Sequence, residues 1–306
     1  MKEKYFIITV DTEGDNLWSY TPKKVIRTEN SKYINRFQRL CDSFSFKPVY
    51  LTNYEMACSD IFVKESTEWL ATNRCEIGLH LHAWNNPPIV NDGVPDTGCQ
   101  YLIEYSTDIM DKKFKELYYL IKNRFGITPI SHRAGRWAMN EKYFKLLKKY
   151  NVFIDCSVTP GIDWSNAIGG RKGGTNYMEA KLGVDLCNSI WEIPPTVRKM
   201  KRLGVGTIKH QIKNLFYPDT VWLRPAMCSL KSMFKLVDLV EHERDCDYLE
   251  FMIHSSELMP GGSPYFTTED SVDKEYETIT KLFKYIHSKG YVGVTLQEYA
   301  RSHRMI

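Results

Sequence analysis

Nowhere does the 306-residue chain hold an apolar run approaching the roughly 20 residues needed to cross a bilayer, so a membrane-spanning helix is excluded. It has no Cys-x-x-Cys pair. Its eight cysteines, at positions 41, 58, 75, 99, 156, 187, 228 and 246, are scattered, which reads as reduced thiols rather than a disulfide framework or a zinc ribbon. It also lacks an excess of one charge. Against 41 Lys and Arg stand 37 Asp and Glu, a formal +4, and with no long basic run nucleic acid is not an expected partner. There is no internal repeat and no low-complexity tract, and 43% apolar with 25% charged residues excludes disorder and collagen. Behind Met1 to Val10 no apolar region with a small-residue cleavage site is visible, so the cytoplasm is the expected compartment.

What is present is an alternation. Apolar β-type runs end at Asp11, Thr52, His80, Arg133, Asp155 and His254, and a final run spans Tyr291 to Leu296. Between them apolar residues recur at helical spacing, as in Met110, Phe114, Leu117, Tyr118 and Ile121, and again in Tyr276, Ile279, Phe283 and Ile286. The pattern predicts a mostly parallel sheet wrapped by helices, an α/β fold of the distorted (β/α) barrel kind, as one domain over residues 1–306. Residues 165–230 break the rhythm, being rich in Gly and then basic at Arg198, Lys199, Lys201 and Arg202. They are expected to form an irregular insertion over the barrel mouth, since so short a stretch is near the lower limit for independent folding. The basic stretch could meet an anionic glycan, with a solvated surface as the simpler reading.

Polar residues gather where these runs end, which in a β/α barrel is the functional face. Core packing has no use for two His, two Asp and an Arg at one level. Asp11, Glu13 and Asp15 are like charges in a short turn, relieved by a cation, a nearby Arg or a shared proton. A solvated turn capped by Asp15 is the plainer reading. His80 and His82 are two apart on an extended segment and point the same way. Joined to Glu13 they make two His and one carboxylate, the ligand set of a catalytic zinc site with an open position. Arg133 could pair with Asp11 and keep it ionised. His254, at the end of an apolar strand before a Gly/Pro loop, is a candidate general acid, and Trp164 could stack on a sugar ring.

The strings VDTEGD, EIGLHLHAW, RAGRW, DCSVTPGIDW and HSSELMPGGSPY resemble the motifs of the polysaccharide deacetylases, the NodB-homology or carbohydrate esterase 4 group, and look like its WalW-like subgroup. The likeness runs from Asp11 to Gly293-Val294-Thr295-Leu296. It implies a NodB-type barrel and a metal-dependent hydrolase that removes an N-acetyl group from an amino sugar of a surface polysaccharide, such as lipopolysaccharide, or its precursor. By this resemblance Asp11 is the catalytic base, Arg133 holds it, and His254 is the general acid with an Asp behind it, either Asp155 or Asp163. A divalent metal, with zinc the expected ion, would be held by His80 and an acid of the first turn, Glu13 or Asp15. Where the commoner pattern has adjacent aspartates and a His-x-x-x-His pair, here Thr12 separates the acids and Trp84 occupies the second His position. His82 is then the natural substitute. Trp137, Trp164 and Glu192 would shape the pocket for an N-acetylated saccharide. Two rival readings stand beside this one: a glycosidase using two carboxylates such as Asp11 and Glu257, and a non-catalytic carbohydrate-binding protein on the same barrel.

Overall fold

The computed structural model describes residues 3–19, 25–171, 173–200 and 219–306. The β-branched run after Lys4 becomes strand β1 (Tyr5–Thr12), and parallel neighbours lie on both its sides. The strands that follow are β2 (Pro48–Thr52), β3 (Glu76–Leu81), β4 (Ser131–Ala134), β5 (Ile154–Asp155), β6 (Asp185–Cys187), β7 (Ile190–Glu192), β8 (Val197–Met200), β9 (Asp219–Trp222), β10 (Tyr248–His254) and β11 (Val292–Gly293). Among the described residues the main sheet runs β10-β1-β2-β3-β4-β5-β7-β6, with β11 pairing β1 at its start, and only β6 is antiparallel. The helices between strands are α1 (Ile34–Asp42), α2 (Tyr54–Cys58), α3 (Asp60–Ala71), α4 (Thr107–Phe125), α5 (Glu141–Lys149), α6 (Leu230–Glu241), α7 (Glu269–Ser288) and α8 (Leu296–Ser302). This is the expected curled β/α barrel. The spaced apolar residues of α4 and α7 are buried, as their helical period requires.

Two expectations change. The final apolar run is a strand only over Val292–Gly293, because the Thr295 side chain accepts from the Glu298 N–H and caps α8. The described part of 165–230 is not irregular throughout. Its β7 pairs with β5 and extends the barrel sheet, β6 folds back on it, and β8 and β9 form a separate antiparallel ribbon. These strands are too short to impose a period on the sequence. Arg198 is buried and chelates Glu243 through Nε (2.8 Å) and Nη2 (2.5 Å), so it is no part of a solvated basic face. Lys201 and Arg202 lie outside the described residues.

The period of two sorts side chains between two cores. Phe6, Ile8 and Val10 of β1, Leu249, Phe251 and Ile253 of β10, and Ile77 and Leu79 of β3 pack outward against the helices. Ile7, Val49, Leu51, Ile154, Tyr248 and, from α8, Leu296 and Tyr299 fill the inside. Thr9 and Asp11 share parity with Ile7, as Glu250 and His254 do with Tyr248. The inward rows therefore change from apolar at the bottom to charged at the C-terminal ends.

Candidate active site

Strand register sets the level of the site. Asp11 is aligned with His254, and His80 with Arg133, all at the carboxyl ends of their strands. The Arg133 side chain is wholly buried inside the barrel. Its Nη1 donates to Asp11 Oδ1 (2.6 Å), its Nη2 to Thr9 Oγ1 (2.9 Å) and to Glu250 Oε1, and its Nε to the Cys156 carbonyl (3.1 Å). One guanidinium thus joins two carboxyls of unlike fate. Burial works to raise Asp11, but Arg133, His80 and His254 together outweigh it, and the group ends below its ordinary value. For Glu250 burial wins over the same arginine, and the carboxyl is pushed up to about 7. Asp11 therefore carries the charge.

Glu13, His80 and His82 converge beside Asp11. His82 Nε2 lies 2.7 Å from Glu13 Oε2 and 3.0 Å from His80 Nε2, and His80 Nε2 lies 3.5 Å from Glu13 Oε2. All three residues are buried, and they form a possible metal-holding group among the described residues. His80 Nδ1 faces the Arg133 carbonyl at 3.0 Å, and a carbonyl only accepts, so Nδ1 bears the proton and the Nε2 lone pair points to the centre. The His80 and His82 Nε2 atoms face each other and can share at most one proton. Ligands about 2.0 to 2.1 Å from a tetrahedral ion stand about 3.3 to 3.4 Å apart, and the observed separations bracket that spacing. The donor set fits a divalent cation.

The loop after β4 supports this trio. A Cβ at Gly135 would come within 2.5 Å of the Leu81 carbonyl oxygen and 2.7 Å of His82 Nδ1, so only glycine lets the His82 ring lie there. Trp84, where the commoner motif has its second His, packs against His82 with ring centroids 4.3 Å apart. Asp15 stays out of the cluster and accepts the Glu29 and Asn30 N–H groups at 3.0 Å each, acting as a turn cap. Between the two acids left open by the sequence, Glu13 is the one with the histidines.

His254 stands across from the trio, its Nε2 3.5 Å from Glu13 Oε1 and 3.8 Å from Asp11 Oδ2. The acid behind it is neither Asp155 nor Asp163. Glu257 Oε1 lies 3.1 Å from His254 Nδ1 and accepts from Arg224 Nη2 (2.5 Å), which also lies 3.0 Å from His254 Nδ1. Burial works to raise Glu257, but Arg224 and His254 hold it below its ordinary value. Asp155 has the opposite parity to Ile154 and points out of the barrel, where His132 Nδ1 (2.6 Å) and Ser157 Oγ (2.7 Å) bond it. Glu192 is also in the wall rather than the pocket: it accepts the Val158 N–H (2.8 Å) and hydrogen-bonds Asp155. Asp163 accepts the Ser165 N–H at the surface. Glu257 is fully buried and does not line the cavity, so it cannot serve as the second carboxylate of a glycosidase.

Above this floor opens a cavity of about 390 Å³. Trp137 and Trp164 line it, together with Trp18, Trp84, Tyr101, Arg136 and Arg224, to which the sequence reading gave no pocket role. Trp18 packs edge-on to His254, with centroids 4.8 Å apart. Trp84 and Arg136 lie within the strings EIGLHLHAW and RAGRW but had no pocket role there, and Trp18, Tyr101 and Arg224 sit in connecting segments that carry no periodic signal.

No protein-family model and no curated protein matches the sequence. Solved structures do match its shape. A candidate polysaccharide deacetylase from Mycobacterium smegmatis superposes with a TM-score of 0.51 at 12% identity, over 98% of this chain and 91% of that one. The 4-alpha-glucanotransferase of Thermococcus litoralis superposes with 0.57 at 10% identity, over 98% of this chain and 40% of that one. At such identities the likeness is one of fold. The chain has the distorted (β/α) barrel of the NodB-homology type, a class of fold that hosts more than one sugar chemistry. The side chains at its mouth must decide between them.

Proposed function

We propose that this protein is a metal-dependent hydrolase that removes an N-acetyl group from an amino sugar, within a single deacetylase-like barrel over residues 1–306. One observation carries the reading: a Glu-His-His cluster lies between a carboxylate held ionised by a buried arginine and a histidine backed by a buried acid. A two-carboxylate glycosidase has no task for that cluster. The matching polysaccharide deacetylase from Mycobacterium smegmatis and the WalW-like motifs favour a surface polysaccharide, lipopolysaccharide included, or its precursor as the substrate. Eight free cysteines suit a reducing compartment such as the cytoplasm, and no helix among the described residues is long and apolar enough to cross a membrane.

Glu13, His80 and His82 would hold the ion, with zinc expected. When bound it supplies a Lewis acid and lowers the pKa of a water toward ~7. Asp11 takes the proton of the attacking water, and Arg133 keeps it ionised to do so. His254 gives a proton to the departing amine, and Arg224 with Glu257 fixes its ring. Trp137 and Trp164 flank the sugar.

Elemental analysis of the purified protein beside His80→Ala and His82→Ala variants tests the centre without knowledge of the substrate. Near-stoichiometric divalent metal, lost in both variants, is the expected result. A wild type that takes up no divalent ion even after reconstitution would overturn the hydrolase and leave a carbohydrate-binding protein.

A further inference from the structure

Two arginines line the cavity, and they differ in what they are bonded to. Arg224 is committed to Glu257 and His254. Arg136 has no carboxylate partner among the described residues. Its Nη1 donates to the Cys99 carbonyl (2.6 Å) and its guanidinium carbon lies 4.5 Å from the centre of the Tyr101 ring, which fixes the group in the cavity wall without neutralising it. A guanidinium has five N–H donors in a planar fork, and among the described residues one of these is used, by the Cys99 carbonyl.

The backbone here is also unusual. Arg136 and Trp137 are successive left-handed residues, at φ 56° and 62°, and neither is glycine. That conformation is costly for bulky residues and persists only where the surroundings enforce it, here partly through Tyr177 Oη donating to the Trp137 carbonyl (2.5 Å). An ordinary surface arginine gives no reason for it.

We infer that Arg136 binds an anionic oxygen group, a carboxylate or a phosphate, on the saccharide that fills the cavity, so that the substrate is an acidic N-acetylated sugar. The inference rests on the deacetylase reading for the kind of molecule bound. The charges fit it. Asp11 and Glu13 would repel an anionic sugar, but Arg133 answers the first and the histidines contact the second, which leaves Arg136 to meet the ligand's charge.

Four tryptophans line the cavity, so binding to the purified full chain can be followed by intrinsic fluorescence. The probes are N-acetylglucosamine, N-acetylglucosaminuronic acid and N-acetylglucosamine 1-phosphate. One of the two anions should bind about tenfold more tightly than the neutral sugar, the margin expected of a charge-assisted bidentate contact; which one does so separates carboxylate from phosphate. In Arg136→Gln that ratio should fall to about one. Arg136→Lys keeps the charge but loses the fork, and should retain part of the preference. Should Arg136→Gln not fold, the wild-type ratio and its fall in Arg136→Lys decide. A wild-type ratio near one, or a ratio unchanged by substitution, overturns the inference. Acetate release from the same probes separates the two claims. Release with no anionic preference refutes only the role of Arg136, whereas preference without release refutes the deacetylase and leaves Arg136 as the anion site of a binding protein.

Discussion

Asp11 and Glu250 show how one buried cation can give two carboxyls different states. Both touch Arg133, yet Asp11 stays ionised at the mouth while burial pushes Glu250, aligned with Ile7 deeper in the barrel, up to about 7. Asp11→Asn keeps the shape of the group and removes its basicity. Turnover should fall by about 10²- to 10⁴-fold with metal content unchanged, measured by acetate release and elemental analysis on one preparation; full activity would take the base role from Asp11. Gly135 matters for what it lacks. In Gly135→Ala the new methyl group meets the Leu81 carbonyl and the His82 ring, so His82 must move. Metal affinity, read by competition with a chelator, should drop about 10- to 100-fold.

Among the elements, the join from β3 to α4 depends on one side chain. Lys113 of α4 is buried, and its Nζ donates to the carbonyls of Ala83 (2.8 Å), Asn86 (2.9 Å) and Pro88 (2.7 Å). Asn86 Nδ2 returns a bond to the Lys113 carbonyl (2.6 Å). The loop so tied begins just past His82 and carries Trp84, so a helix on the outside of the barrel sets the edge of the site. Lys113→Met fills the volume but leaves three acceptors without a donor. Urea unfolding should show a loss of about 2 to 4 kcal/mol, and metal affinity should weaken as well. Unchanged stability would mean that water replaces the ammonium.

For the whole molecule, the closing helix α7 brings a second buried carboxyl behind the His254 loop. Glu275 Oε1 has no hydrogen-bond partner among the described residues, and burial, with the charge of Glu257 adding and Arg224 opposing, pushes the group from 4.5 up to about 8. The folded state then keeps a proton that the unfolded chain releases above about 4.5. This contribution to stability is intact below that pH and is lost as pH rises through about 8, at a slope of at most about 1.4 kcal/mol per pH unit. Glu275→Gln removes the slope. Urea midpoints at pH 5 and pH 8 should therefore diverge less in the variant than in the wild type, and an equal divergence in both would rule Glu275 out.

The strand runs ending in Asp11, His80, Arg133 and His254, and the helical spacing in α4 and α7, made the barrel legible in the sequence, because burial on both faces of a parallel strand and on one face of a helix leaves periodic apolar traces. Spacing alone also made His80 and His82 a pair. It did not choose Glu13 over Asp15, a choice that depends on a turn whose second acid caps the Glu29 and Asn30 amides. Nor did it find the partner of His254. A period of two tells that neighbours face opposite ways, but which parity faces inward is fixed by register and closure of the sheet. Asp155 and Glu192 therefore fell on the outer face, and Glu257 and Arg224, from segments with no shared pattern, met behind His254. The sequence by itself determined the longer strands, the helices of clear period and the residue types at the barrel mouth; the short strands and most side-chain pairings were decided by tertiary structure, because a short strand imposes no period and a hydrogen bond between residues far apart in the chain leaves none in either segment.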